Sequence, residues 1–106
     1  MPLPWFAARV RGPSMAPALR SGDAVLVRRT GTARPGQVVV ARFRGRPDLL
    51  VVKRAVRPVA GGWWLASENE FTADDSRAYG VADVVGRVLF RYWPRPSWLS
   101  RGRQRA

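Results

Sequence analysis

The chain has 106 residues, of which 46% are hydrophobic, and a formal net charge of +12. That length supports one core and therefore one domain. It contains no cysteine and no histidine, which excludes disulfides, thiol nucleophiles, thiolate metal sites and every catalytic triad that uses an imidazole base.

In chain order, Pro2-Leu3-Pro4-Trp5-Phe6-Ala7-Ala8 is too short and too proline-rich for a secretory leader or a membrane span, which needs roughly 18 to 20 apolar residues. A strand ending near Arg11 must turn at Gly12-Pro13, and Pro13 to Leu19 suits a single helical turn. After the turn pair Ser21-Gly22, Asp23 to Arg28 reads as a strand. Gln37 to Phe43 follows Pro35-Gly36, Leu49 to Val56 follows Gly45-Arg46-Pro47-Asp48, and Trp63 to Leu65 follows Gly61-Gly62. These are β-branched and aromatic runs punctuated by Gly and Pro. Glu68 to Gly80 breaks the pattern and is polar, and Val84 to Tyr92 completes the strands. Short strands at this spacing predict a mainly β fold, a small curled antiparallel sheet or barrel with a short helical turn near the N-terminus. The domain is expected over residues 1–94, with a basic, frayed tail over 95–106. Arg42, Arg44 and Arg46 alternate and would share one face of a strand.

One lysine stands among eighteen arginines, at Lys53. Arginine stays protonated in proteins, whereas a buried lysine can give up its proton near neutral pH. On a strand, Leu49, Val51, Lys53 and Ala55 point the same way, so the amine would lie against apolar surface that disfavours the ammonium. An unperturbed lysine near 10.4 is neutral in only about one molecule per thousand at pH 7.4; lowered to about 7 or 8, it becomes a usable general base. Ser14, on the sharp turn after Gly12-Pro13, is a matching nucleophile, and a serine with a lysine base is a known variant of the triad. Taken alone, Ser14 reads as a turn former or cap and Lys53 as a solvated surface residue.

The boxes Gly12-Pro13-Ser14-Met15-Ala16-Pro17-Ala18-Leu19 with Gly22-Asp23-Ala24-Val25-Leu26-Val27, then Pro35-Gly36-Gln37-Val38-Val39-Val40, then Val51-Val52-Lys53-Arg54-Ala55-Val56, then Asn69 with Asp75-Ser76-Arg77-Ala78-Tyr79-Gly80 and Gly86-Arg87-Val88, resemble in order those of the signal peptidase I family. The resemblance implies that Ser14 is the nucleophile and Lys53 the base. It also implies that the Ser14 backbone N–H serves the oxyanion, that Met15 lines the substrate region, and that Asp75 and Arg77 form a supporting ion pair. Many members of that family carry a serine two residues before the nucleophile, where this chain has Gly12. They often read Gly-Asp-Asn where this chain has Ser67-Glu68-Asn69. A serine that helps hold the lysine is replaced by Ala73, which leaves Thr72 as the nearby hydroxyl.

Asp48-Leu49-Leu50-Val51-Val52-Lys53-Arg54-Ala55, the Gly61-Gly62-Trp63-Trp64-Leu65 hairpin and the ending Gly86-Arg87-Val88-Leu89-Phe90-Arg91-Tyr92 resemble the nickel-type superoxide dismutase maturation proteases of the same family. That resemblance implies a cytoplasmic endopeptidase that removes an N-terminal extension from a precursor protein, with no cofactor and no metal of its own. Its partner would be the precursor, with no obligatory nucleic acid and at most weak contact between the aromatic ends and a membrane surface. Three alternatives stand beside it: an ordinary signal peptidase without its anchor, a repressor-type self-cleaving domain, and a basic nucleic-acid-binding β-barrel in which Trp and Arg hold bases and phosphates.

Overall fold

The computed structural model describes residues 3–16, 18–68 and 75–99. Among them are seven strands: β1 (Trp5–Arg9), β2 (Ala24–Arg29), β3 (Val38–Phe43), β4 (Arg46–Val59), β5 (Gly62–Ala66), β6 (Ala82–Trp93) and β7 (Ser97–Trp98). One short helix, α1 (Ser76–Tyr79), precedes β6. The pairings are antiparallel, in the order β1-β2-β6-β3-β4-β5, with β7 added to β6 and a further β5–β6 contact at Trp63↔Ala82. That last contact curls the sheet back on itself, as the strand pattern predicted.

The long strand β6 organises the curl. Its later half pairs with β2 and its earlier half with β3, and Gly86 sits where the two ladders overlap, opposite both Arg29 and Val40. A Cβ there would come within 2.5 Å of Val27 Cγ1 and 2.8 Å of the Arg28 carbonyl oxygen. The strands can cross this closely because residue 86 has no side chain.

Two apolar clusters fill the two faces. Val38 and Val40 join Val10, Met15, Leu19, Val25, Val27 and Val88 in one. Val39, Ala41 and Phe43 join Ala55, Leu65 and Ala82 in the other. Because β3 is covered on both faces from Val38 to Ala41, that stretch is a continuous apolar run rather than an alternation, and the exposed Arg42 follows it.

Several expectations need correction. Arg42, Arg44 and Arg46 do not share a strand face. Arg44 lies in the β3–β4 turn, with its Nη2 2.8 Å from Asp83 Oδ1, and Arg46 opens β4. The stretch expected to fray after Pro94 includes β7, where Trp98 packs on the Phe90 ring at 5.1 Å and the Leu99 N–H donates to the Leu89 carbonyl. The polar segment from Glu68 contains α1. The N-terminal strand β1 pairs with β2 from Trp5↔Arg28 to Arg9↔Ala24.

Candidate active site

The segment carrying Ser14 is a closed loop between β1 and β2. The Val10 N–H donates to the Asp23 carbonyl and the Gly22 N–H to the Val10 carbonyl, both at 2.8 Å. Asp23 is buried and accepts from the Arg20 N–H at 2.8 Å and from Arg91 Nη1 at 3.2 Å. Within the loop, the Ala16 N–H reaches the Pro13 carbonyl and the Leu19 N–H the Met15 carbonyl, giving the helical turn expected there. Met15 and Leu19 point down into the first core cluster and anchor the turn. Ser14 stays half-exposed above them, and among the described residues no acceptor takes its N–H. Gly12 has φ +83°, a left-handed conformation that a serine would adopt only with strain. The backbone of this loop therefore favours glycine at the position where the related pattern has a hydroxyl.

Lys53 comes from the middle of β4, opposite Val39 of β3, and is only 4% exposed. Its strand neighbours Val51 and Ala55 belong with the second cluster, the apolar setting read from the sequence, while Leu49 has moved out to the surface. Ser14 and Lys53 line the same cleft, of about 580 Å³, together with residues 9–13, Arg46, Leu49 to Val52 and Tyr79. Arg46 reaches this cleft because the β3–β4 ladder steps from Arg42↔Leu50 to Phe43↔Arg46. The residues Pro47, Asp48 and Leu49 bulge out of the ladder and bend the strand. Tyr79, packed on Phe43 with ring centroids 5.1 Å apart, closes another side.

Asp75 and Arg77 meet. Arg77 Nε lies 3.0 Å from Asp75 Oδ1 and its Nη2 3.2 Å from Oδ2. Asp75 also caps α1 by accepting the Arg77 N–H, and it takes the Ser67 N–H at 2.9 Å. Burial pushes the Asp75 carboxyl up, but the Arg77 guanidinium and the two backbone N–H donors outweigh it and hold the group below its ordinary value. Ser76 adds a second tie, its Oγ accepting the Leu65 N–H at 2.7 Å. The pair thus fastens the helix to the end of β5, near the lysine rather than in the cleft. Met15 is a core residue and does not line the cleft. Thr72 and Asn69 lie outside the described residues.

Two supports were not singled out from the sequence. Asp23 with Arg91 closes the base of the serine loop. Arg54, on the opposite face of β4 from Lys53, binds the Gly36 carbonyl at 2.8 Å and Glu68 Oε2 at 3.0 Å. Their signal was charge in an apolar run: each is an ionic residue inside an otherwise hydrophobic box.

This curled antiparallel sheet, with a serine turn and a strand lysine on one cleft, is an architecture suited to peptide hydrolysis. The comparison with known families agrees: the Peptidase S24-like family model matches residues 2–89, and the chain belongs to that family of peptidases. It is also 29% identical, over 114 aligned positions, to the mitochondrial inner membrane protease subunit 1 of Xenopus tropicalis, a match that covers 82% of this chain and 68% of that protein.

Proposed function

We propose that the chain is a serine endopeptidase that uses a Ser14–Lys53 dyad. The observation that carries this reading is the cleft, which a turn serine and the chain's one lysine, buried, both line from distant parts of the sequence. Lys53, as the neutral amine, takes the Ser14 Oγ proton while Oγ attacks the scissile carbonyl carbon. The oxyanion faces the Ser14 N–H. Lys53, now an ammonium, gives its proton to the leaving amine, and an acyl ester on Ser14 remains. Water, deprotonated by Lys53, hydrolyses that ester.

The substrate binds as an extended strand. β5 covers β4 only from Arg54 to Val59, so from Leu49 to Lys53 one edge of β4 carries no strand among the described residues. That edge supplies backbone hydrogen bonds along the cleft. The exposed Leu50 and half-buried Val52 beside it suit small apolar side chains.

The finer reading is removal of an N-terminal extension from a cytoplasmic precursor, with a nickel-type superoxide dismutase precursor as the preferred substrate; the boxes resembling that branch support it. A second reading is processing at a membrane surface. It is favoured by the exposed Leu3, Trp5, Trp93 and Trp98 and by arginines stacked on Trp5, Phe6 and Trp93. Co-expression with a candidate precursor, followed by mass analysis of the new N-terminus and cell fractionation, tests both. Cleavage lost in Ser14→Ala and enzyme in the soluble fraction is the expected result. Recovery with membranes and cleavage only of exported leaders would transfer the assignment to the second reading.

A further inference from the structure

We propose that Ser67 is a positioning residue for the Lys53 amine, a role that rests on the dyad reading and deepens it. Among the described residues, Ser67 Oγ is the one buried side-chain polar atom without a hydrogen-bond partner. Folded proteins rarely leave a buried hydroxyl in that state without a use. The β4–β5 ladder pairs Ala55 with Leu65 and Arg54 with Ala66. The ladder and β5 end there, at Ala66; continued one step, the same register would set Ser67 against Lys53, on the face that Ala55 and Leu65 turn to the second cluster. Side chains directly opposite in such a ladder have Cβ atoms about 4.5–5.5 Å apart. The main chain of Ser67 is held in place by its N–H to Asp75 Oδ2 at 2.9 Å.

The chemistry needs such a group. When Lys53 takes the Ser14 proton it becomes an ammonium with three donors, formed where the side chain is almost wholly covered. Ser14 Oγ or the leaving amine accepts one of these. The Ser67 hydroxyl oxygen accepts another in a charge-assisted hydrogen bond, which favours the ammonium and keeps the amine aimed along the cleft. Among the described residues, the ionisable groups around this part of the sheet are Asp75 with Arg77 from α1, Glu68 with Arg54 from the far face of β4, and Arg9, Arg11, Arg46 and Tyr79 in the cleft. Substitution at Ser67 changes none of them chemically, so a shift in the Lys53 titration reports the hydroxyl.

The test uses the single lysine. Lysine-selective isotope labelling yields one side-chain NMR signal, whose pH titration is followed in wild type, Ser67→Ala and Ser67→Thr, with steady-state peptide cleavage measured in parallel. Ser67→Ala is expected to raise the acid dissociation constant of Lys53 about three- to tenfold, a midpoint lower by roughly half to one pH unit. It should reduce kcat about tenfold with little change in KM, and Ser67→Thr should return both values toward wild type. Should Ser67→Ala fold poorly, Ser67→Cys supplies the comparison, because a thiol is a weak acceptor of similar size. An unchanged Lys53 titration without the hydroxyl overturns the proposal. A shifted titration in a protein that cleaves no peptide would instead leave the Ser67–Lys53 contact standing and remove the peptidase reading.

Discussion

The Ser67 N–H donates to Asp75 Oδ2 at 2.9 Å, so a helix cap holds the chain just past β5 beside the lysine strand. The Asp75 side chain is only 2% exposed, whereas that of Arg77 is 58% exposed. The guanidinium is screened by solvent, whereas the backbone donors depend on this buried acceptor. Asp75→Ala should destabilise the fold by about 2–3 kcal/mol, since it removes a cap and leaves the Ser67 N–H without its acceptor. Urea unfolding measures this, and Arg77→Ala should cost less than about 1 kcal/mol in the same assay.

The same carboxylate sets an acid limit. Its folded-state pKa lies below the ordinary 3.8, so the unfolded chain binds the proton more readily. The stability it contributes is complete above the ordinary carboxylate range and is lost as the pH falls through the lower folded value. Thermal midpoints from pH 7 down to pH 2 should drop less steeply in Asp75→Asn than in wild type. Parallel curves would mean that other carboxylates govern acid unfolding.

Loss of either dyad member should abolish cleavage while the fold remains. Ser14 is half-exposed on a turn anchored by Met15 and Leu19, so Ser14→Ala should leave stability within about 0.5 kcal/mol of wild type. Its kcat should fall by at least roughly a thousandfold. Lys53→Arg keeps a positive charge and removes the base, and Lys53→Met keeps the stem without the amine. Both should be inactive, and comparable turnover by Lys53→Arg would sink the lysine-base mechanism.

Gly86 marks the crossing of two ladders, and Gly86→Ala should cost about 1–3 kcal/mol by overpacking. The added methyl meets Val27 Cγ1 at 2.5 Å and the Arg28 carbonyl oxygen at 2.8 Å, in the sheet interior. Circular dichroism melts compare it with Gly31→Ala, where nothing lies within 4 Å of the added carbon. Equal melts would show that the strands relax at the crossing.

Arg9, Arg11 and Arg46 line the cleft without a carboxylate among its described lining residues. Peptides with Asp or Glu beside the scissile bond should therefore be cleaved a few-fold faster than their Asn or Gln counterparts at low salt. The gap should close as ionic strength rises. Arg11→Gln should shrink it more than Arg34→Gln, which removes the same charge from an exposed position outside the cleft. Equal effects of the two substitutions would assign the preference to net charge alone.

The β-rich class, the core strands from Val25, Val38 and Val84 onward and the chemical candidates Ser14 and Lys53 were legible in the sequence. Each shows in local composition: β-branched runs between Gly and Pro, one lysine against eighteen arginines, and an imidazole-free chain with few other bases. Nothing local reported the pairing of β7 with β6 or the one-turn helix α1, because two- and four-residue elements carry no periodicity of their own. Nor could sequence place Met15 in the core rather than in the cleft, since an exposed and a buried turn methionine read alike. The meeting of Ser14 and Lys53 on one cleft, the strain that would oppose a serine at Gly12 and the partnerless hydroxyl of Ser67 are tertiary facts. They depend on how far β6 curls at Gly86 and on the β4–β5 register. A one-residue slip in the β3–β4 register would turn Lys53 to the other face, and the packed clusters on both sides of β3 oppose it.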